Sequence, residues 1–207
     1  NSIRYQNQNS HTSGNNGGFV VTDIVKKPII YIYPIEKMDV EVKLGNPQYL
    51  SCTYPKYKNG WSVTADVDGT LVDKNTEKNL YALYWEGKEV PKNINLKEGF
   101  CVKGKDTATF LEEKLSLLGL SDKEAEEFII YWLPKMEENN YNYIRFETKE
   151  EQDKSMPLEI TPKPDNLIRV MMDWKGLDEK IEVQEQNLET PIREGYTVVE
   201  WGGTEIK

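Results

Sequence analysis

Near the middle of this chain the hydrophobic pattern changes from strand alternation to helical spacing, and this change restricts the possible folds more than any other feature. The first helical segment, about 106–118, has its apolar residues on one stripe, at Phe110, Leu111, Leu115 and Leu118. Gly119 then supplies a natural helix stop. Ser121 and Glu124 form a capping box for a second helix, and Pro134 ends or kinks that helix. We therefore predict an αα-hairpin over about 106–118 and 122–134.

The segments on both sides of this hairpin have the composition of strands. Before it lie GFVVTDI, PIIYIYP, MDVEVKL, YLSCTYP, WSVTADV and NLYALYWEG; after it lie YNYIRFET, PLEITP, LIRVMMDW, KIEVQEQ and YTVVEWGG. Strands that precede and follow one helical pair are typical of an α+β fold, whereas a parallel α/β sheet needs a helix between successive strands. We predict mostly antiparallel, sandwich-like sheets in a single globular domain over 19–207.

The composition narrows the classes of partner. The 207 residues suit one domain, and the formal net charge of −9 argues against nucleic acid, which requires a basic surface. No stretch approaches the roughly 18 consecutive apolar residues of a transmembrane helix. The same negative charge argues against an anionic membrane surface as the partner.

Residues 1–18 read as a polar tether that is too poor in apolar groups to fold alone. Such a spacer separates the lipid anchor from the globular domain in bacterial lipoproteins, although a trimmed chain would have the same composition. We expect an extracellular or cell-envelope location, with a lipid anchor upstream of residue 1. His11, the only histidine, lies in this tether, so the folded part has no histidine for a catalytic triad.

A set of landmark segments is spaced along the chain: KPIIYIYP, YPKYKNGWSVTA, DGTL, LYWEG, FIIYWLPKME, PLEITPKPDNLIRVMMDW and YTVVEWGG. This set resembles a family of uncharacterised bacterial proteins that are often predicted to be exported or lipid-anchored. The resemblance covers nearly everything after residue 26. It implies one globular unit in an envelope or extracellular setting, and it implies no catalytic role.

The segment ADVDGTLVD contains Asp66 and Asp68 in a form similar to the nucleophile loop of haloacid dehalogenase-type phosphatases, which use Mg²⁺. That loop follows a buried parallel strand and precedes a helix. Here the preceding strand alternates and a second strand follows, while Asp68-Gly69 is a strong signal for a two-residue type I′ hairpin. The pattern favours the hairpin over the phosphatase.

At the ends of two predicted strands, an acidic residue stands next to a tryptophan and is followed by glycine. One end has Trp85 and Glu86 before Gly87, and the other has Glu200 and Trp201 before Gly202. If these ends are neighbours, the carboxylates could form a glycosidase pair and the indoles a platform for a sugar. The alternative is that both tryptophans belong to the core and both glutamates face solvent.

Three further residues are candidates for contacts. Tyr131 lies off the apolar stripe of its helix, which favours a surface contact, whereas Trp132 lies on the stripe and belongs to the core. Arg145 and Arg169 lie within apolar strands. They are expected to be buried ion-pair partners, for Glu86 or Glu200, or less often anchors for an anion.

Cys52 and Cys101 lie in separate strand-like segments. In an exported protein they could form a disulfide, or each could be a small buried apolar residue. Neither belongs to a metal-binding set of cysteines and histidines, and no Walker loop, dinucleotide-binding, HExxH or EF-hand motif occurs. We expect no metal and no cofactor.

These observations favour a non-enzymatic module of the bacterial envelope that binds a protein or a glycan through aromatic residues at strand ends. The first alternative is a hydrolase that uses Glu86 and Glu200. The second is a Mg²⁺-dependent phosphatase that uses Asp66 and Asp68.

Overall fold

A computed structural model describes the backbone of residues 19–207 and the side chains of residues 23–92 and 94–207. The tether at 1–18, including His11, lies outside the described residues. The strands are β1 (Phe19–Tyr33), β2 (Met38–Leu44), β3 (Leu50–Tyr54), β4 (Trp61–Ala65), β5 (Leu71–Asp73), β6 (Asn79–Leu80), β7 (Leu83–Ile94), β8 (Glu98–Lys103), β9 (Tyr141–Phe146), β10 (Leu158–Thr161), β11 (Asn166–Leu177), β12 (Gln184–Glu185) and β13 (Thr197–Glu205). The α-helices are α1 (Thr107–Leu117), α2 (Asp122–Met136) and α3 (Lys149–Ser155).

The strands form two sheets, and the α+β prediction is confirmed. The large sheet has the order β12-β8-β9-β11-β13-β1-β7-β3, and the small sheet has the order β10-β2-β4-β5-β6. Most neighbours are antiparallel; the pairs β11–β13 and β8–β12 are parallel. In β2 the predicted alternation is present, since Val40, Val42 and Leu44 are buried and the residues between them are exposed.

Two apolar clusters make the large sheet the middle layer of three. One cluster joins the inner face of the large sheet to the small sheet, with Ile30, Trp85 and Val198 opposite Val42 and Trp61. The other cluster joins the outer face of the large sheet to the helices. Its largest side chains are Tyr31, Phe128, Trp132, Trp174 and Trp201. The strands at the centre of the large sheet are therefore covered on both sides.

The helical hairpin forms as predicted. Ser121 and Glu124 make the capping box at the start of α2, and Gly119 has the positive φ of a helix stop. Pro134 does not end α2, which continues to Met136. Trp132 is buried on the stripe that faces the sheet.

Three predictions of strand extent were wrong. GFVVTDI and PIIYIYP are one strand, β1, which has an irregularity between Lys26 and Ile29. β7 does not stop at Gly87 but continues to Ile94, and KIEVQEQ contributes only the two residues of β12. The short helix α3 was not expected; Thr148 begins it with a capping box to Glu151.

The Asp66–Asp68 segment is a hairpin loop between the antiparallel strands β4 and β5. The Gly69 amide donates to the Asp66 carbonyl at 3.0 Å, and Gly69 has a φ of +88°. The loop is thus a three-residue turn closed by a left-handed glycine, not the expected two-residue type I′ turn. Asp68 accepts a hydrogen bond from the Thr70 amide at 2.8 Å, which stabilises the turn.

Cys52 and Cys101 are both free, and the disulfide alternative is wrong. Cys52 lies on β3 and Cys101 on β8, with five strands of the sheet between them. At about 4.8 Å per strand spacing, they are far beyond the roughly 7 Å that a disulfide can span. Cys52 is exposed and Cys101 is partly exposed, so neither is a fully buried apolar residue.

Asn142 on β9 fastens the helical hairpin to the sheet. Its Nδ2 donates to the Thr107 hydroxyl at 3.0 Å and to the Met136 carbonyl at 2.8 Å, and its Oδ1 accepts from Asn139 at 2.8 Å. One fully buried amide therefore connects the first residue of α1 with the last residue of α2.

We predict that Asn142→Ala lowers the free energy of unfolding by about 2–3 kcal/mol, because it leaves buried donors and acceptors without partners. Asn140→Ala is the control, since Asn140 is exposed and donates only to the Asp178 carbonyl; we expect a loss below about 1 kcal/mol. Urea denaturation of both variants gives the comparison. Equal losses would show that Asn142 does not hold the hairpin.

Candidate functional site

The two tryptophans of the proposed sugar platform are both buried and cannot contact a ligand. Trp85 is 1% exposed and belongs to the cluster between the sheets, whereas Trp201 is 0% exposed and belongs to the cluster under the helices. They lie on opposite faces of the large sheet. Of the two interpretations of these residues, the structure supports a core role for both.

The proposed glycosidase pair is also separated by the sheet. Glu200 lies on the inner face, where its Oε1 accepts a hydrogen bond from the Trp85 indole at 2.8 Å. Glu86 follows Trp85 on β7, and successive strand residues point to opposite faces. Glu86 therefore lies on the outer face, and the two carboxylates cannot act on one glycosidic bond.

Arg169 and Glu200 form a buried ion pair on neighbouring strands. The Arg169 Nε donates to Glu200 Oε2 at 2.6 Å, and the Arg169 Nη2 donates to the Met156 carbonyl at 2.8 Å. Both side chains are nearly inaccessible. Because Glu200 neutralises the guanidinium, Arg169 is placed as a structural partner and not as an anchor for an external anion.

Arg145 is buried too, but its partners differ from those proposed. Its Nη1 donates to Asp173 at 2.9 Å, and its Nη2 donates to both oxygens of Glu151 at 2.7 and 2.8 Å. Asp173 comes from β11 and Glu151 from α3. The expected partner was Glu86 or Glu200, and neither contacts Arg145.

Glu86 and Tyr131, two of the candidate ligand-binding residues, come together on the outer face beside α2. We call this area the tyrosine surface and define it by Tyr54, Tyr84, Glu86 and Tyr131. Tyr84 and Tyr54 are paired across β7 and β3, so their rings lie on the same face. Tyr54 is 55% exposed, and the other three residues are partly exposed.

Lys27 lies close to both Tyr84 on β7 and Tyr131 on α2. The Lys27 ammonium is 5.8 Å from the centre of the Tyr84 ring and 5.3 Å from that of Tyr131. The Lys135 ammonium is also close to Tyr131, at 3.8 Å from the ring centre. These cation–π contacts stabilise the position of the Tyr131 ring.

The phenols of Tyr84 and Tyr131 remain protonated at neutral pH. Burial raises the pKa of Tyr84, and the neighbouring Glu86 carboxylate raises it further. Burial and then Glu86 also raise the pKa of Tyr131. The surface therefore offers two hydroxyl donors, a carboxylate acceptor and ammonium donors around partly exposed rings.

The sequence pattern did not single out Tyr84, Tyr54 or Lys27 as candidate residues. A signal was present for Tyr84. In LYWEG the buried Trp85 stands between Tyr84 and Glu86, and strand alternation places both neighbours on the face opposite the indole. The pairing of Tyr54 with Tyr84 depends on strand register, which no local pattern shows.

The Asp66–Asp68 loop does not occupy the position that the phosphatase motif requires. It joins two antiparallel strands of the small sheet, whereas that motif stands at the carboxyl end of a parallel strand. Among the described residues, no group of three or more His, Cys, Asp or Glu side chains is arranged to hold a metal ion.

Comparison of the chain with protein-family models, with curated proteins and with solved structures found no match. Within residues 19–207, no helix is long and apolar enough to cross a membrane.

We predict that Arg169→Met lowers the free energy of unfolding by about 3–5 kcal/mol, because it leaves the buried Glu200 carboxylate without its cationic partner. The double variant Arg169→Met/Glu200→Gln should lose less than the single variant, since a neutral amide can still accept from Trp85. Urea denaturation at neutral pH measures both losses. Lys37→Met, which removes an exposed ion pair with Asp66, is the control and should change stability by no more than about 0.5 kcal/mol. A larger loss in the double variant than in Arg169→Met would contradict the ion pair's role.

Proposed function

We propose that the protein is a non-enzymatic glycan-binding module of the bacterial envelope or exterior, and that the glycan binds at the tyrosine surface. The observation that carries the proposal is that the rings of Tyr84 and Tyr131 flank the Lys27 ammonium, while the Glu86 carboxylate is close enough to both phenols to raise their pKa, on a partly exposed area of the sheet. The bacterial and extracellular setting rests on the landmark segments and the polar tether.

The chemistry of the surface suits a sugar. A pyranose ring has C–H faces that pack on an aromatic ring and hydroxyls that both donate and accept hydrogen bonds. Tyr84 and Tyr131 supply apolar ring surface with a polar hydroxyl at the tip. Glu86 supplies an acceptor and Lys27 a donor, and a few such polar groups fix the orientation of a ligand on a largely apolar surface.

A peptide that adds a strand to the edge of the sheet fits the same region less well. The neighbouring edge strand, β3, is only five residues long and has an irregularity between Leu50 and Cys52. Pro47 and Pro55 stand on either side of it. Short length, bulges and prolines are the features by which proteins block pairing at a sheet edge. The flat face is therefore the better candidate for binding.

Sedimentation with insoluble cellulose, chitin, xylan and purified bacterial cell wall tests the proposal. We expect the protein to bind at least one of these polysaccharides, and we expect Tyr84→Ala and Tyr131→Ala each to weaken that binding by about tenfold or more. The physical reason is that each substitution removes ring surface worth about 1.5–3 kcal/mol when it is covered by a ligand.

Tyr141→Ala is the matched control, because Tyr141 is a partly exposed tyrosine on β9, away from the tyrosine surface. It should bind like the unmodified protein, and the melting temperatures of all three variants verify folding. Absence of binding to all four materials overturns the glycan assignment. Binding that survives both substitutions overturns the assignment of the surface.

A further inference from the structure

Five charged side chains are buried between the large sheet and α3. We call them the buried charge cluster: Lys92 on β7, Arg145 on β9, Glu147 just after β9, Glu151 on α3 and Asp173 on β11. They occupy the part of the inner face next to the apolar cluster that the small sheet covers. The four side chains from the sheet side are at most 4% exposed, and Glu151 is 13% exposed.

The cluster has more carboxylates than cations. Lys92 and Arg145 face three acids, so one negative charge is uncompensated when all five groups are ionised. The adjacent pair of Arg169 and Glu200 is neutral and does not supply the missing cation. An uncompensated charge in a buried site is costly, and a carboxyl group commonly avoids the cost by holding a proton.

Hydrogen bonding identifies which acid takes the proton. Asp173 accepts from Lys92 at 2.6 Å and from Arg145 at 2.9 Å. Glu151 accepts twice from Arg145 and once from the Thr148 amide at 2.7 Å. Each of these carboxylates therefore accepts charge-assisted hydrogen bonds from at least one cationic side chain.

Glu147 has less support. Its Oε1 lies against the Lys92 ammonium, which is its one cationic partner among the described side chains. That ammonium also donates to Asp173 and to the Thr204 hydroxyl at 2.8 Å, so Glu147 shares it with two other acceptors. Burial raises the pKa of Glu147 to about 7, against the opposing effect of Lys92.

A cavity about the size of one water molecule adjoins Glu147. Lys92, Arg169, Gln152 and Ser155 also line it, and the buried Nη1 of Arg169 has no hydrogen-bond partner among the described groups. Gln152 and Ser155 belong to α3, so this helix forms one wall of the cavity.

We propose that Glu147 is a proton-binding site and that its proton keeps α3 closed over the buried charge cluster. With the proton bound, the cluster is neutral and α3 stays closed. Without it, the excess negative charge is repelled by Asp173 and Glu151 and is better solvated by water, which favours opening of α3. The helix is attached directly to this position, because the Gln152 side chain donates to the Glu147 carbonyl at 3.2 Å.

The direction of the pH effect follows from the raised pKa. The closed protein binds the proton more tightly than a solvated glutamate, whose pKa is about 4.3. The stabilisation from this group is therefore complete below about pH 4.3 and is lost as the pH rises through about 7. The charged groups around Glu147 are Lys92 from β7, Arg145 from β9, Asp173 and Arg169 from β11, Glu200 from β13 and Glu151 from α3; Asp153 of α3 also lies 3.6 Å from the Arg169 guanidinium.

Hydrogen exchange of the α3 amides between pH 6 and pH 8 tests the proposal, with rates corrected for the intrinsic pH dependence of exchange. We expect the protection factors of α3 to fall by about tenfold over this range while those of α2 stay constant. Glu147→Gln should remove the fall, because an amide carries no titratable proton. Glu150→Gln is the matched control on the exposed side of the same helix and should retain the fall.

A pH-independent protection of α3 in the unmodified protein, or a fall that persists in Glu147→Gln, would overturn the proposal. If Glu147→Gln does not fold, carbon-detected NMR of the glutamate carboxyl groups in the unmodified protein decides the question. A titration midpoint for Glu147 near pH 7 supports the site, and a midpoint below pH 5 refutes it.

Discussion

The large sheet is buried on both faces, and this constraint determines the surroundings of nearly every side chain in its central strands. β13 shows it most clearly, because it pairs with β1 on one side and with β11 on the other and is buried from Thr197 to Thr204. Val198 and Glu200 lie on the inner face, while Val199 and Trp201 lie under the helices. A residue of such a strand cannot reach solvent, so a ligand can contact this sheet where the coverage ends, as it does beyond α2 on β7 and β3.

Buried charges on the inner face help to set the strand register. Arg169 and Glu200 are direct partners in the β11–β13 pair, and Asp173 is the direct partner of Arg145 in the β11–β9 pair. A slip of one residue would move these charges to the apolar face under the helices and would leave them unpaired. Buried ion pairs are weak evidence for stability because desolvation offsets their attraction, but this arrangement strongly disfavours alternative pairings.

The parts of the fold that could be predicted are those with a local pattern. The stripe of α1, the capping box of α2 and the alternation of β2 each depend on residues within a few turns or positions. α3 has no apolar stripe in KEEQDKS, and only its capping box could have indicated it. The partners of Arg145 could not be predicted, since Asp173 is brought beside it by strand pairing and Glu151 by packing of the unexpected helix. For the same reason, Glu86 and Tyr131 could be named separately but not as neighbours.

One irregularity in β7 connects the two proposed sites. Asp23 of β1 pairs with Val90 of β7, and Val25 pairs with Gly87. One residue lies between the two β1 positions and two lie between the two β7 positions, so β7 contains one extra residue there. Glu89 adopts a positive φ at this point, and a Cβ on Gly87 would lie 2.6 Å from the Val90 side chain, which requires glycine. With strict alternation, Lys92 would share the outer face with Tyr84 and Glu86. The extra residue inverts the alternation, so that a single strand supplies the exposed tyrosine surface before the bulge and the ammonium of the buried charge cluster after it.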